Sequence, residues 1–255
     1  MPYLDVQGQR AHYLHRAPAL PGAPPLVFLH GAGGTHQHWL YQVRDLPQIS
    51  TYALDLPGHG ESAGPGRDSI QAYGDWLTTF LEAAGLSQAV LAGHSMGGAI
   101  ALHVALQHPA RVAGLALLAT GARLRVAPGL LDAFRQDFPA AIGLMEEWVY
   151  GPEAPPDMVR LGQRQLAAAG PEVLCGDFTA CDGFDVMDRL GEIAAPTLIL
   201  CGTLDRMTPV KYSTYLRDGI RGAGLRLVEG AGHMLMIEKP GAVAEALSSF
   251  APLMG

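Results

Sequence analysis

Apolar residues in this chain come in short unbroken runs, each ending at a turn and leading into a segment with helical spacing. "PLVFLHG" (Pro25–Gly31), "STYALDLPGHG" (Ser50–Gly60), "QAVLAGH" (Gln88–His94), "RVAGLALLAT" (Arg111–Thr120), "PTLILCG" (Pro196–Gly202) and "GLRLVEG" (Gly224–Gly230) read as strands. The largely continuous apolar centres of these runs, interrupted by Arg226 in the last, predict a sheet covered on both faces. Helical patterns follow them: "HQHWLYQVRDL" after the first, "SIQAYGDWLTTFLEAAG" (Ser69–Gly85) with its glycine stop after the second, and Ser95 to about His108 after the third. Pro109 ends that third helix. Strands alternating with amphipathic helices predict an α/β fold: a mostly parallel central sheet with helices on both faces.

One interval breaks this rhythm. Between Thr120 and Pro196 there is no convincing strand, only helical segments at Leu130–Phe138, Ala140–Tyr150, Asp157–Ala169 and Glu172–Asp182, punctuated by prolines. It reads as a helical cap, residues 121–190, inserted after a core strand, with 1–120 and 191–255 forming the core. In open α/β sheets ligands bind at the carboxyl edge of the strands, where such a cap would sit.

Composition narrows the class. A length of 255 residues with 49% hydrophobic and 16% charged residues suits one core with an insertion. The net charge of −7 and the absence of a basic cluster argue against nucleic acid or anionic membranes as partners. No cationic start followed by an apolar segment marks a secretory signal, and the apolar stretch around Val112 to Ala122 is too short to span a bilayer. Three cysteines, an odd number without metal-ligand spacing, are expected to be reduced thiols in a cytoplasmic protein. Cys201, at the end of an apolar strand, reads as a small buried residue; Cys175 and Cys181 are the candidates for a redox pair.

The chemistry starts at "LAGHSMGG". Gly93-His94-Ser95-Met96-Gly97 is a G-x-S-x-G string between a strand and a helix. A tight turn there strains the serine backbone and projects its hydroxyl from the sheet edge. The alternative is a packing turn whose serine caps the helix. A serine hydroxyl is a weak nucleophile unless a base takes its proton, so a histidine and an orienting acid are needed at the same edge. His233, in the loop "EGAGHMLMIEKP" after the last strand, is the expected base, and Asp205, in "LCGTLDRMTP", the expected acid. His94, His30 and His59 read as structural, and Asp55 as a tether for the "PGHG" turn. His36 and His38 resemble a metal pair, but the spacing and the lack of a third ligand argue against a metal; none is expected. An oxyanion hole requires preorganised N–H donors. The Met96 N–H at the helix start offers one, and the "HGAGGT" loop the other, with Ala32 the expected donor. No Gly-Lys-Ser/Thr follows these glycines and the dinucleotide pattern fails, so no nucleotide or other cofactor is implied.

With these motifs in their order, "HGAGG", "DLPGHGES", "GHSMGG", "CGTLDRMTP" and "GAGHMLMIEKP", the sequence resembles the α/β-hydrolase superfamily over nearly its whole length. In that family's terms Ser95 is the nucleophile, Asp205 the acid, His233 the base, and Ala32 with Met96 the oxyanion donors. The resemblance also prunes. Haloalkane dehalogenases and epoxide hydrolases carry an aspartate where Ser95 stands. Meta-cleavage carbon–carbon hydrolases usually show a Gly-Pro-Gly loop and a tryptophan after the histidine, where this chain has Ala32-Gly33-Gly34 and Met234. Hydroxynitrile lyases need a cap lysine that is absent here, whereas cofactor-free perhydrolases share the triad.

The resulting expectation is a carboxylic-ester hydrolase acting on small to medium, largely apolar acyl esters, with lactones left open, through an acyl-enzyme. Phe134, Phe138, Met145, Trp148, Phe178 and Met187 are the expected cap residues of the substrate pocket, with Val149 and Phe184 as further apolar candidates. Mixed charge in the cap points to a neutral acyl group. The rival from another class is a small-ligand receptor with a slow triad.

Overall fold

The computed structural model describes residues 2–18 and 23–250; the outermost residues of the expected core, 1 and 251–255, lie outside them. The strands are β1 (Tyr3–Val6), β2 (Gln9–Arg16), β3 (Leu26–Leu29), β4 (Thr51–Leu54), β5 (Ala89–His94), β6 (Val112–Leu118), β7 (Thr197–Gly202) and β8 (Gly224–Val228). They form one sheet in the order β1-β2-β4-β3-β5-β6-β7-β8. From β4 across to β8 every neighbouring pair is parallel, with Leu29 beside Gly93 and His94 beside Leu118. Only β2 opposes its neighbours, pairing antiparallel with both β1 and β4. This is the expected α/β architecture.

The β1–β2 hairpin has no counterpart in the sequence reading. It turns at Gln7 and Gly8, both at positive φ, and buries only Val6, Ala11 and His12. An edge hairpin that is half solvated carries too few apolar residues to stand out as a run.

Helices α1 (Leu40–Asp45), α2 (Ile70–Ala83), α3 (Met96–Gln107), α7 (Val210–Gly219), α8 (Leu235–Glu238) and α9 (Pro240–Phe250) accompany the sheet, while α4 (Leu130–Gln136), α5 (Phe138–Val149) and α6 (Pro156–Asp182) lie between β6 and β7. Side chains alternate across a strand, so each apolar run serves two cores at once. Val27, Leu29, Leu91, Leu115 and Leu117 face α2 and α3, whereas Leu26, Phe28, Val90, Ala116 and Leu118 face Trp39, α1 and α9. Local signals set the helix limits. Ser69 caps α2 by accepting from Ala72 N at 3.2 Å, and Gly85 follows the helix at φ 70°.

The insertion between β6 and β7 has a small core of its own, in which Phe134, Ala141, Met145, Leu174 and Phe178 pack together. Its longest helix, α6, is broken at Gly170 (φ 82°), ahead of Pro171. Beyond the break, Ala180 and Cys181 join the core beneath the sheet. No helix of the described residues is long and apolar enough to cross a membrane. All three cysteines are free thiols, with Cys181 and Cys201 buried.

Candidate active site

Ser95 stands between β5 and α3 at φ 51° and ψ −116°, a conformation costly for any residue with a side chain. Gly93 and Gly97, two residues to either side, permit this turn because they have none. A Cβ on Gly93 would lie 2.2 Å from the Gly97 carbonyl oxygen, and one on Gly97 would lie 2.3 Å from that of Leu29. The turn is pinned from outside as well: Ser95 N donates to Leu118 O at 2.9 Å, and Thr120 Oγ1 donates to Ser95 O at 2.8 Å.

Asp205 follows β7 and is buried. Its Oδ1 accepts from Met207 N and Thr208 N, both at 2.9 Å, and its Oδ2 accepts from Thr208 Oγ1 at 2.8 Å. His233 Nδ1 completes the set, 3.0 Å from Asp205 Oδ2. Burial pushes the Asp205 carboxyl upward, but His233 and the Thr208 donors outweigh it and hold the group below its ordinary value. The His233 loop is tied twice through its backbone: His233 N donates to Val149 O at 2.9 Å, and His94 Nε2 lies 3.0 Å from His233 O. Burial, reinforced by the neighbouring His233, holds the His94 imidazole well below its usual value, so it is neutral and braces the loop.

Ser95 and His233 line one cavity of about 410 Å³, roofed by Met145, Trp148 and Phe178. A smaller recess below it brings Ala32 to the same two residues. Among the described residues, the N–H groups of Ala32 and Met96 donate to no protein acceptor. For Met96 this follows from its place in the first turn of α3.

Three of the six expected pocket residues therefore face the cavity and three do not. Phe134 is 1% exposed and packs on Phe138 and Phe178, with ring centroids 6.0 and 5.4 Å away. The helical spacing that placed Phe134 and Phe138 on one face turns that face toward the interior of the insertion. Met187 lies on a separate groove with Arg123 and Lys211, because α6 ends at Asp182 and the chain has by then turned back to the sheet. Val149 joins the core on the Trp39 side, and Phe184 the one on the α3 side.

Two carboxylates missed by sequence reasoning shape the site. Asp177, fully buried on α6, accepts from Gly33 N at 2.8 Å, from His59 Nε2 at 2.8 Å and from Tyr73 Oη at 2.6 Å. It thus ties the insertion to the loop that carries Ala32. Burial works against a charge on His59, but Asp177 overrides it and raises the imidazole above its usual value. Glu238 accepts from Gly151 N, Gly232 N and Met234 N at 2.9, 3.0 and 3.1 Å, which fastens the end of the insertion to the His233 loop. Neither carried more signal than a single acid within a helix.

Asp55 tethers the "PGHG" turn, accepting from Glu61 N at 3.0 Å, from His36 Nδ1 at 2.9 Å and from His12 Nδ1 at 2.7 Å. His12, His36 and Asp55 are the one group among the described residues with metal-like spacing. Their ligand atoms already satisfy one another, apart from the Ser95 cavity. His30 accepts from Leu56 N at 3.1 Å and braces the same region.

The profile of the Alpha/beta hydrolase family matches residues 26–246, and the chain belongs to that family. It is 32% identical over 249 residues to the dihydrolipoyllysine-residue acetyltransferase component of the acetoin cleaving system of Pseudomonas putida, covering 90% of this chain and 64% of that protein. The chain thus spans just under two thirds of that relative's length. It is 28% identical to the pimeloyl-[acyl-carrier protein] methyl ester esterase of Neisseria meningitidis serogroup B, over 91% of this chain and 95% of the relative. Among solved structures, that of a thermophilic esterase superposes with a TM-score of 0.89 at 30% identity, covering 100% of this chain and 98% of the other.

Proposed function

We propose that the protein is a serine hydrolase that cleaves carboxylic esters through an acyl-enzyme. One observation carries this reading: Ser95, on a strained turn, shares a cavity with His233, whose Nδ1 is held 3.0 Å from the buried Asp205. In the reaction, Ser95 Oγ attacks the ester carbonyl while His233 Nε2 takes its proton. Asp205 fixes the imidazole with its proton on Nδ1 and stabilises the cation that forms. Negative charge on the carbonyl oxygen is met by the Ala32 and Met96 N–H groups. His233 then protonates the departing alcohol, and water repeats the sequence to free the acid. Side chains and main-chain donors supply every step, so no cofactor is called for. The names of the relatives support ester hydrolysis in general, and lactones are within the same chemistry.

The helices between β6 and β7 act as the cap, with Met145, Trp148 and Phe178 meeting the acyl group. Free thiols at Cys175, Cys181 and Cys201 support a reducing, cytoplasmic setting.

Steady-state hydrolysis of p-nitrophenyl acyl esters, from acetate to long chains, tests the reading. Wild type turns over many times, and Ser95→Ala loses on the order of 10⁴–10⁶ in kcat. A single turnover per chain, or activity that survives Ser95→Ala, refutes it.

A further inference from the structure

Cations that are scattered along the sequence gather at one rim of the cavity. Arg123 and Arg125 leave the end of β6, and Lys211 sits in the first turn of α7. With Tyr212 and Met187 they line a groove of about 410 Å³. Arg125 and Tyr212 also line the cavity that holds Ser95, so the two spaces meet at this pair. Arg123 Nε reaches Asp185 only at 3.5 Å and is buried without a hydrogen-bond partner. No described carboxylate lies within ion-pair distance of Arg125 or Lys211. In a chain of net charge −7, this rim is a local reversal of sign.

The geometry points to an anion-binding subsite at this rim, one that selects esters carrying a carboxylate or phosphate at the end remote from the reacting carbonyl. The proposal rests on the ester reading and names its substrate class. The apolar middle of such a substrate lies against Met145, Trp148 and Phe178, and its anionic end reaches past Tyr212 to Arg125 and Lys211. Guanidinium and ammonium groups bind carboxylates and phosphates through short charge-assisted hydrogen bonds. A wholly neutral ester, the expectation from mixed charge in the cap, leaves these donors unused. Sequence could not show the cluster, because its members come from two different strand ends.

The test compares kcat/KM for p-nitrophenyl heptanoate, mono-p-nitrophenyl adipate and a p-nitrophenyl acyl ester ending in phosphate. In wild type the favoured anionic ester exceeds the neutral one by about tenfold or more, a ratio that shrinks with added salt. The ratio falls part-way in Lys211→Gln and close to one in Arg125→Gln/Lys211→Gln; whichever anion is favoured identifies the source. A wild-type ratio near one, or a ratio that neither substitution changes, overturns the subsite. Calorimetry of Ser95→Ala with monomethyl adipate and with methyl heptanoate separates the two readings. Anion-selective binding that Arg125→Gln/Lys211→Gln abolishes, without turnover of any ester by wild type, refutes the ester reading alone. Turnover without selectivity refutes the subsite alone.

Discussion

Ser95 is held where serine is least comfortable, and its strain is a measurable quantity. A side chain at φ 51° and ψ −116° costs on the order of 1–3 kcal/mol, whereas glycine adopts such a conformation freely. Glycine in turn loses roughly 0.5–1 kcal/mol in chain entropy on folding. Strain is the larger of the two, so Ser95→Gly is expected to be inactive and more stable than wild type by about 1 kcal/mol. For a chain of this size that raises Tm by roughly 2–4 °C. A thermal melt of Ser95→Gly beside Ser95→Ala measures it, since Ser95→Ala keeps the side-chain clash and gains nothing. The same glycine-flanked turn made Ser95 conspicuous in the sequence. Asp205 and His233 were legible because each follows an apolar strand, and the structure brings them within hydrogen-bond distance of each other.

Helix α6 contributes one charged side chain to the interior, and the consequences extend to the loop that carries Ala32. Asp177→Asn removes the charge opposite His59 and cannot accept equally from Gly33 N, His59 and Tyr73. Breaking a buried pair of this kind costs on the order of 3 kcal/mol, read out by chemical denaturation. His59 sits above its ordinary value in the folded protein. Its contribution is therefore fully present below the unfolded value near 6.5 and is lost as pH rises through the folded one. The deficit of Asp177→Asn is expected to be largest at mildly acid pH and to narrow as pH rises; a deficit that widens contradicts the assigned pairing. Since Gly33 adjoins Ala32, kcat falls in this variant by a larger factor than KM rises. Elements such as β3, β5 and β6 were legible because strands buried on both faces must be apolar throughout. The β1–β2 hairpin was not, because one exposed face leaves a weak alternation. Side-chain direction in the insertion was hardest to read: Phe134 and Phe178 both sit in helical patterns, and only the packing of α4 against α6 decides which of them reaches the cavity.

Three histidines set how the whole protein responds to acid. Burial holds His30 and His94 well below the usual imidazole value and lowers His38 to about 4. Below pH about 6.5 the unfolded chain takes up protons that these folded sites refuse, so stability falls as pH falls. Each group contributes up to about 1.4 kcal/mol per pH unit, and His59 opposes with a single contribution of the other sign. The expected outcome is a Tm that declines steadily from pH 7 toward pH 4, with a shallower slope in His38→Gln. A flat profile over that interval contradicts neutral burial of the three.

The hydrogen bond from His233 N to Val149 O, with Glu238 grasping Gly151 and Gly232 next to it, bears on how this protein can be recombined with its relatives. A chimera cut at the end of β6 and the start of β7 would exchange the fastenings of the His233 loop together with the roof of the cavity. Crossovers placed inside those fastenings, taking only α4 and the first turns of α5, would trade the lining at Leu130, Leu144 and Met145 while leaving Val149, Gly151 and Asp177 in place. The exchangeable unit is thus a short helical hairpin rather than the whole excursion from the sheet.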